Sequence, residues 1–267
     1  MKIVKYSIYI MVLIVNYTFG QGFISSTQNS SLGYSTPSKH LTKIIFNNPG
    51  SLAKAESGCM IFSLENLYSF PGLFQMYSGV LLKLPFGNTS AGFYRLGGGT
   101  FSHQEIFMGY ANTLGLVSLG LKAKVIQWHI DPLVTIYKPG IDFGGLATIS
   151  PKWLFGAYVI NINYPLLSRD DLERAPMAMM AGVAYLPTDK VLLQAEIRKQ
   201  IDHYPGLNTG LEYALSEAVS LNTGIATNPI KNRFGILFTL QKIHFEYLTT
   251  FQFPLGQSHL WSLTYKL

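Results

Sequence analysis

The sequence is poor in cysteine and in charged residues, and each shortage excludes a class of protein. Its 267 residues include one cysteine, Cys59, so no internal disulfide is available. Charged residues make up 13% of the chain, about half of the roughly 25% that is usual in soluble domains. The basic residues form no cluster on one face, so we expect no nucleic-acid partner.

Long hydrophobic runs are missing beyond the first twenty residues. The N-terminus places Lys2 and Lys5 before an apolar run from Tyr6 to Val15, the layout of a secretory signal peptide. We expect residues 1–20 to be removed after Gly20 and residues 21–57 to form an N-terminal periplasmic or plug segment. No later stretch reaches the ~20 apolar residues of a membrane-spanning helix.

The composition nevertheless suggests a membrane protein, because the mean hydropathy is positive and aromatic residues are frequent. Hydrophobic residues make up 48% of the chain and aromatic residues 13%. A membrane protein without spanning helices must be a closed barrel, because lipid leaves every unpaired backbone group unsatisfied.

From residue 58 onward, apolar and polar residues alternate in segments of about ten residues, as in barrel strands. In the last segment Trp261, Leu263, Tyr265 and Leu267 share one face, which is also typical of the signal that the outer-membrane assembly machinery recognises. We expect fourteen strands, at approximately 58–66, 73–84, 89–97, 102–112, 115–126, 137–148, 152–163, 176–186, 190–199, 206–215, 218–227, 231–240, 242–250 and 257–267.

The connections support this count, because outer-membrane barrels alternate short periplasmic turns with longer external loops. Connections after even-numbered strands are short, whereas Gln127–Ile136, Tyr164–Ala175 and Gln200–Pro205 are predicted to be loops; Asn228–Ile230 is an exception. The sequence therefore predicts an all-β, closed antiparallel transmembrane barrel with modest extracellular loops. It would lie in a Gram-negative outer membrane with both termini in the periplasm.

A secreted β-sandwich is the alternative, since its strands also alternate. A sandwich of this size should carry a strongly charged exterior, whereas the polar face here is rich in glycine and small residues. Aromatic residues also occupy strand positions suited to the two girdles of a barrel; they are Trp153, Tyr185, Tyr213, Trp261 and Tyr265.

Several ionisable residues fall on the predicted lumenal face. Their charges could pair and fill the barrel, or they could line a pore; filling is favoured because side chains or a plug generally fill narrow barrels. These candidate lumen-lining residues are Glu105, Lys122, Lys124, Glu196, Arg198, Glu212, Arg233, His244 and Glu246.

No pattern in the sequence indicates catalysis. The pairs worth considering are His103 with Glu105, Ser258 with His259, and His244 with Glu246, and none lies in a nucleophile motif. Six scattered histidines and one cysteine offer no metal-ligand cluster. We expect no enzyme activity, no metal and no cofactor.

The stretch Asn48-Pro49-Gly50-Ser51-Leu52-Ala53 resembles the element that opens barrels of the FadL-like superfamily. Within that superfamily the chain looks most like the PorV and PorQ group of Bacteroidota, through Gly109-Tyr110-Ala111, Val117–Gly120, Asn161 and Leu255–His259. The resemblance implies fourteen strands. It also implies either a fatty-acid transporter or an accessory barrel of the type IX secretion system.

Two functions follow from the resemblance. The first is a non-enzymatic accessory subunit of an outer-membrane protein export or assembly complex, which would sit in the lipid bilayer and bind a larger partner. Its candidate partner loop contains Arg169, Asp170, Asp171, Glu173 and Arg174. The alternative is a passive channel or carrier for small hydrophobic solutes. In either case Asn48, Pro49, Gly50 and Leu52 form a candidate plug or ligand gate.

Overall fold

A computed structural model describes residues 44–165, 175–201 and 203–267. Its strands form one closed antiparallel barrel in which each strand pairs with its neighbours in the chain and β1 pairs with β14. The strands are β1 (Cys59–Asn66), β2 (Phe74–Leu84), β3 (Gly87–Gly97), β4 (Phe101–Leu114), β5 (Val117–Ile130), β6 (Val134–Ser150), β7 (Trp153–Ile160), β8 (Ala178–Thr188), β9 (Val191–Gln200), β10 (Gly206–Ala214), β11 (Val219–Ala226), β12 (Lys231–Leu240), β13 (Ile243–Gln252) and β14 (Gly256–Lys266). Within the described ranges, 3₁₀ helices span Pro49–Lys54 and Leu67–Ser69.

The barrel wall is apolar outside and polar inside, the reverse of a soluble protein. On β4 the outward side chains Ile106 and Met108 are 64% and 71% exposed, whereas inward Glu105 is 7% exposed. On β5 the inward Lys122 is 3% exposed and its outward neighbour Leu121 is 48% exposed. Lipid is the solvent that favours such a surface, so the alternation that predicts the strands also makes this a transmembrane barrel. No helix among the described residues is long and apolar enough to cross a membrane.

The two ends of the barrel differ in their connections. The end that carries the connections after even-numbered strands, here called the turn end, has two-residue links such as Pro85–Phe86 and Gly115–Leu116. The opposite end is here called the loop end. Its longest connection joins β7 to β8, over residues 161–177.

The predicted loop Gln127–Ile136 is wrong. β5 continues to Ile130 and β6 begins at Val134, so only three residues connect them. His129 pairs with Thr135 in the ladder, and its Nδ1 lies 2.8 Å from Thr135 Oγ1. This hairpin extends into more polar surroundings, where polar residues replace apolar ones on the outer face and the strands continue. The sequence predicts a loop there because the apolar residues of the alternation are missing.

Aromatic side chains face outward near the turn end. Trp153 and Tyr185 are directly opposite on β7 and β8, with ring centroids 4.4 Å apart. Tyr213 and Tyr265 are 41% and 45% exposed. This arrangement is typical of an interfacial girdle. Trp261 lies further along β14, beside His259 and Tyr247.

Candidate functional site in the barrel lumen

Residues 44–55, here called the plug segment, lie inside the barrel against the inner faces of β3–β6. The segment contains the first 3₁₀ helix, whose N-cap is Asn48 with Pro49 in the first position. Asn48 Oδ1 accepts a hydrogen bond from the Gly50 N–H at 2.9 Å, and Ser51 Oγ donates to the Asn48 carbonyl at 2.6 Å. These local bonds satisfy groups that burial would otherwise leave unpaired.

Two wall glycines create the space for this helix. A Cβ on Gly120 would lie 2.3 Å from the Pro49 carbonyl carbon, and a Cβ on Gly144 would lie 2.1 Å from Asn48 Oδ1. At Gly120 the wall meets the backbone of the helix, and only a residue without a side chain allows two backbones to approach so closely. At Gly144 the wall meets the side chain of Asn48. The contact is completed by Asn48 Nδ2, which donates to the Gly145 carbonyl at 2.9 Å.

Polar side chains of the wall hold the plug segment at both ends. Asn88 Nδ2 on β3 donates to the carbonyls of Leu52 at 2.7 Å and Ala55 at 3.1 Å. Lys122 Nζ on β5 donates to the carbonyls of Phe46 at 3.1 Å and Asn47 at 3.3 Å. The Lys122 ammonium also lies 4.9 Å from the centre of the Phe107 ring. A lumenal lysine predicted from its strand register is therefore a plug contact.

An aromatic stripe runs inside the wall from the loop end to the plug segment. At the loop end, the rings of Trp128 and His103 stack with centroids 5.1 Å apart. The series continues from His103 to Tyr94 at 5.4 Å, from Tyr94 to Tyr77 at 5.1 Å, and from Tyr77 to Phe46 at 5.4 Å. The stripe consists of Trp128, His103, Tyr94, Tyr77, Phe107 and Phe46, and Gly92 leaves room for the Phe107 ring.

A cluster of paired charges lies beside the stripe on β4–β6. Lys124 Nζ is 3.1 Å from Asp142 Oδ1 and 3.6 Å from Glu105 Oε2. His103 Nε2 is 3.3 Å from Glu105 Oε1. Asp142 also accepts hydrogen bonds from the Asn161 N–H at 2.9 Å and the Tyr158 hydroxyl at 3.3 Å. Each carboxylate has a cationic or polar partner, so the cluster offers no uncompensated charge to a ligand.

The opposite side of the lumen, on β9–β13, is here called the polar side. Glu196 Oε1 accepts from Asn208 at 3.2 Å, and Glu246 Oε1 accepts from Asn222 at 3.1 Å. His244 Nδ1 lies 3.0 Å from Thr239 Oγ1. The remaining predicted lumenal residues on this side are the buried Glu212 and Arg233 and the partly buried Arg198.

The pairs considered for catalysis do not form a nucleophile and base. Ser258 Oγ accepts from the Tyr68 N–H at 2.9 Å, while His259 Nδ1 lies 2.7 Å from the Tyr247 hydroxyl. His103, near the start of β4, is fully buried in the stripe. The His103 ring stacks nearly parallel to that of Trp128, so packing explains the presence of this histidine.

The contacts in the structure do not test several of the functional predictions. The candidate partner loop, Arg169 to Arg174, and the signal peptide lie outside the described residues. In the candidate assembly signal, Trp261, Leu263 and Tyr265 face outward on β14, and the Leu267 N–H donates to the Gly58 carbonyl at 3.0 Å. Their recognition by an assembly machinery stays a prediction.

A pocket of ≈340 Å³ opens at the turn end, directly beyond the plug segment. Ala53, Lys54 and Ala55 of that segment line one side, and Lys83, Asn88 and Asn112 are among the residues of the other. Lys83 Nζ donates to the Glu56 carbonyl at 3.1 Å. The plug segment therefore separates the aromatic stripe from this pocket.

Three solved structures share this architecture. A TodX monoaromatic hydrocarbon channel with the deltaS2 mutation matches 91% of this chain and 98% of its own, with a TM-score of 0.71 and 10% identity. The Pseudomonas putida toluene transporter TodX matches 91% and 97%, with a TM-score of 0.64 and 10% identity. A Pseudomonas aeruginosa FadL homologue matches 87% and 95%, with a TM-score of 0.59 and 11% identity.

The chain has a FadL-like barrel fold. The fourteen predicted strands are confirmed, and the fold is the FadL-like one that the sequence resemblance implied. No protein-family model matches the chain, and neither does any curated protein. The finer resemblance to the PorV and PorQ group stays a prediction.

Proposed function

We propose that this FadL-like barrel is a passive outer-membrane channel or carrier for small hydrophobic solutes. The observation that carries the proposal is the aromatic stripe, which leads from Trp128 at the loop end to Phe46 in the plug segment. Aromatic rings offer large apolar contact surfaces to an uncharged solute. The solved neighbours described as a monoaromatic hydrocarbon channel and a toluene transporter support the same solute class.

The charge pattern of the lumen favours an uncharged solute. Beside the stripe, Lys124 lies between the carboxylates of Glu105 and Asp142. A charged solute would have to break these pairs, and an unpaired charge in the interior costs several kcal/mol. The rings of the stripe are themselves at most 8% exposed. A hydrophobic solute would therefore move along them by replacing ring–ring contacts, which leaves the charge pairs intact.

The plug segment is the gate of this path. A solute that follows the stripe meets Phe46, behind which the helix Pro49–Lys54 separates the stripe from the turn-end pocket. With the loop end outside and both termini in the periplasm, solute would pass from Trp128 toward that pocket. Passage then requires the plug segment to leave its contacts with Asn88, Lys122 and Gly145.

Vesicles with a lipopolysaccharide outer leaflet test this function, because that leaflet slows the entry of hydrophobic solutes. The probe is a small uncharged aromatic dye whose fluorescence rises in the inner leaflet. Incorporated protein should accelerate dye entry and leave the entry of a sugar of similar mass unchanged. Equal dye entry with and without protein would contradict the proposal.

The accessory-subunit hypothesis now has weaker support. It depended on the finer sequence resemblance and on the small external loops, and the solved neighbours are channels. Affinity purification from solubilised membranes separates the two hypotheses. Recovery of a much larger membrane protein in fixed ratio, without dye transport, would favour the accessory subunit.

A further inference from the structure

The outer wall of β3–β6 changes polarity abruptly toward the loop end. Its outward residues form lateral rows of four, one from each strand, because the register places them directly opposite one another. Two successive rows are entirely apolar. They are Ala91, Met108, Ala123 and Ile141, followed by Phe93, Ile106, Val125 and Pro139.

The next row toward the loop end, here called the polar row, contains Arg95, Gln104, Gln127 and Tyr137. Neighbouring strands are roughly 4.8 Å apart, so these four side chains span about 14 Å of the outer wall. The row above it continues with His129 and Thr135. The edge of the hydrocarbon layer therefore lies between the Ile106 row and the polar row, at the depth of lipid head groups.

Arg95 is distinctive among the outward-facing residues of the described strands. The only other outward cation in those strands is Lys199 on β9, whose Nζ donates to the His203 carbonyl at 2.5 Å. Arg95 is half-buried between Met76 and Gln104 and makes no hydrogen bond or ion pair with any described residue. Its guanidinium thus has five uncommitted N–H donors at the membrane boundary.

We infer that the polar row binds the phosphate of a phosphorylated glycolipid in the leaflet at the loop end. Arg95 would hold the phosphate in a bidentate contact, which is the geometry that favours arginine at phosphate sites. The amides of Gln104 and Gln127 and the Tyr137 hydroxyl would bond the neighbouring sugar hydroxyls. The apolar rows below would contact the acyl chains. The inference rests on the proposed outer-membrane orientation and is independent of solute transport.

Native mass spectrometry of the full barrel in neutral detergent tests the site. The probe is lipid A with both phosphates, compared with the same lipid after enzymatic removal of the phosphates. Arg95→Gln should weaken binding of the phosphorylated lipid by about tenfold, as expected for one charge-assisted contact. Arg95→Lys should restore part of the affinity, and Lys199→Gln is the matched control that should bind like the parent protein.

The shift in electrophoretic mobility on heating shows whether each variant is folded. Equal binding by the parent protein and folded Arg95→Gln would overturn the inference, as would equal binding of the two lipids by the parent protein. Displacement of the lipid by millimolar inorganic phosphate, while the acyl chains contribute nothing to its affinity, would assign a site for free anions and would also overturn the inference. Loss of dye transport with normal lipid binding would leave this site standing and remove only the proposed function.

Discussion

The two sides of the same lumen differ in what they offer a solute. The aromatic stripe leads along β2–β5 from Trp128 to Phe46 of the plug segment, and the centroids of successive rings are at most 5.5 Å apart. The polar side on β9–β13 presents carboxylates bonded to amides, as in Glu196 with Asn208 and Glu246 with Asn222. Both sides are buried, yet only the first is built mainly of aromatic rings. Under the proposed function, this difference separates a route for solute from a filling of the barrel.

The plug segment contacts the first side. Its hydrogen bonds reach β3, β5 and β6 through Asn88, Lys122 and Gly145. Under the proposed function, the gate therefore lies at the end of the aromatic stripe, and the two features act as one unit. Breaking the unit should affect transport most, and changes on the polar side should affect it least.

Fixing the plug segment to the wall should have the largest effect. In an Asn48→Cys variant the sulfur would lie close to the present position of Asn48 Cγ. A Cβ on Gly144 would be 3.0 Å from that position, which is compatible with a disulfide between cysteines at the two positions. In a Cys59→Ala background, oxidised Asn48→Cys/Gly144→Cys should reduce dye entry to the level of protein-free vesicles. A reductant should restore it. Unchanged entry in the oxidised protein would mean that solute does not pass the plug segment.

Replacing the ring at the loop end should have an intermediate effect. An aromatic contact contributes ~0.5–1.5 kcal/mol, which corresponds to about two- to tenfold in binding. Trp128→Gln should slow dye entry by that factor, and Trp128→Leu should retain more of it because leucine stays apolar. On the polar side, Glu212→Gln should leave entry unchanged. An equal loss in the Trp128→Gln and Glu212→Gln variants would erase the proposed difference between the two sides.

The strands could be predicted from the sequence because their alternation has a physical cause at nearly every residue. Lipid selects apolar side chains outside and the interior selects polar or small ones, so Ile106, Glu105 and Lys122 each indicate their own face. Above the hydrocarbon edge, lipid no longer selects apolar side chains on the outer face. Gln127 and Thr135 are polar and outward there, and the strands around them appeared to be a loop.

The lumenal site was harder to predict, because contacts across the barrel leave no local pattern. Lys122 could be assigned to the lumen, but not to the Phe46 and Asn47 carbonyls, which are more than seventy residues away in the chain. Asp142, the partner of Lys124, was missed although it lies between Gly140 and Gly144 on the inner face of β6. The stripe was missed because inward and outward aromatic residues look alike in a sequence.

Crowding the cradle of the plug segment should have the smallest effect on transport. Gly120→Ala places a methyl group 2.3 Å from the Pro49 carbonyl carbon, and such overpacking costs about 1–3 kcal/mol. The plug segment should then leave the wall more often, so trypsin should cleave faster after Lys54 and basal dye entry should rise slightly. Gly99→Ala is the matched control, because a Cβ there meets no atom within 4 Å. If the two variants are cleaved at the same rate, the close approach at Gly120 does not hold the plug segment in place.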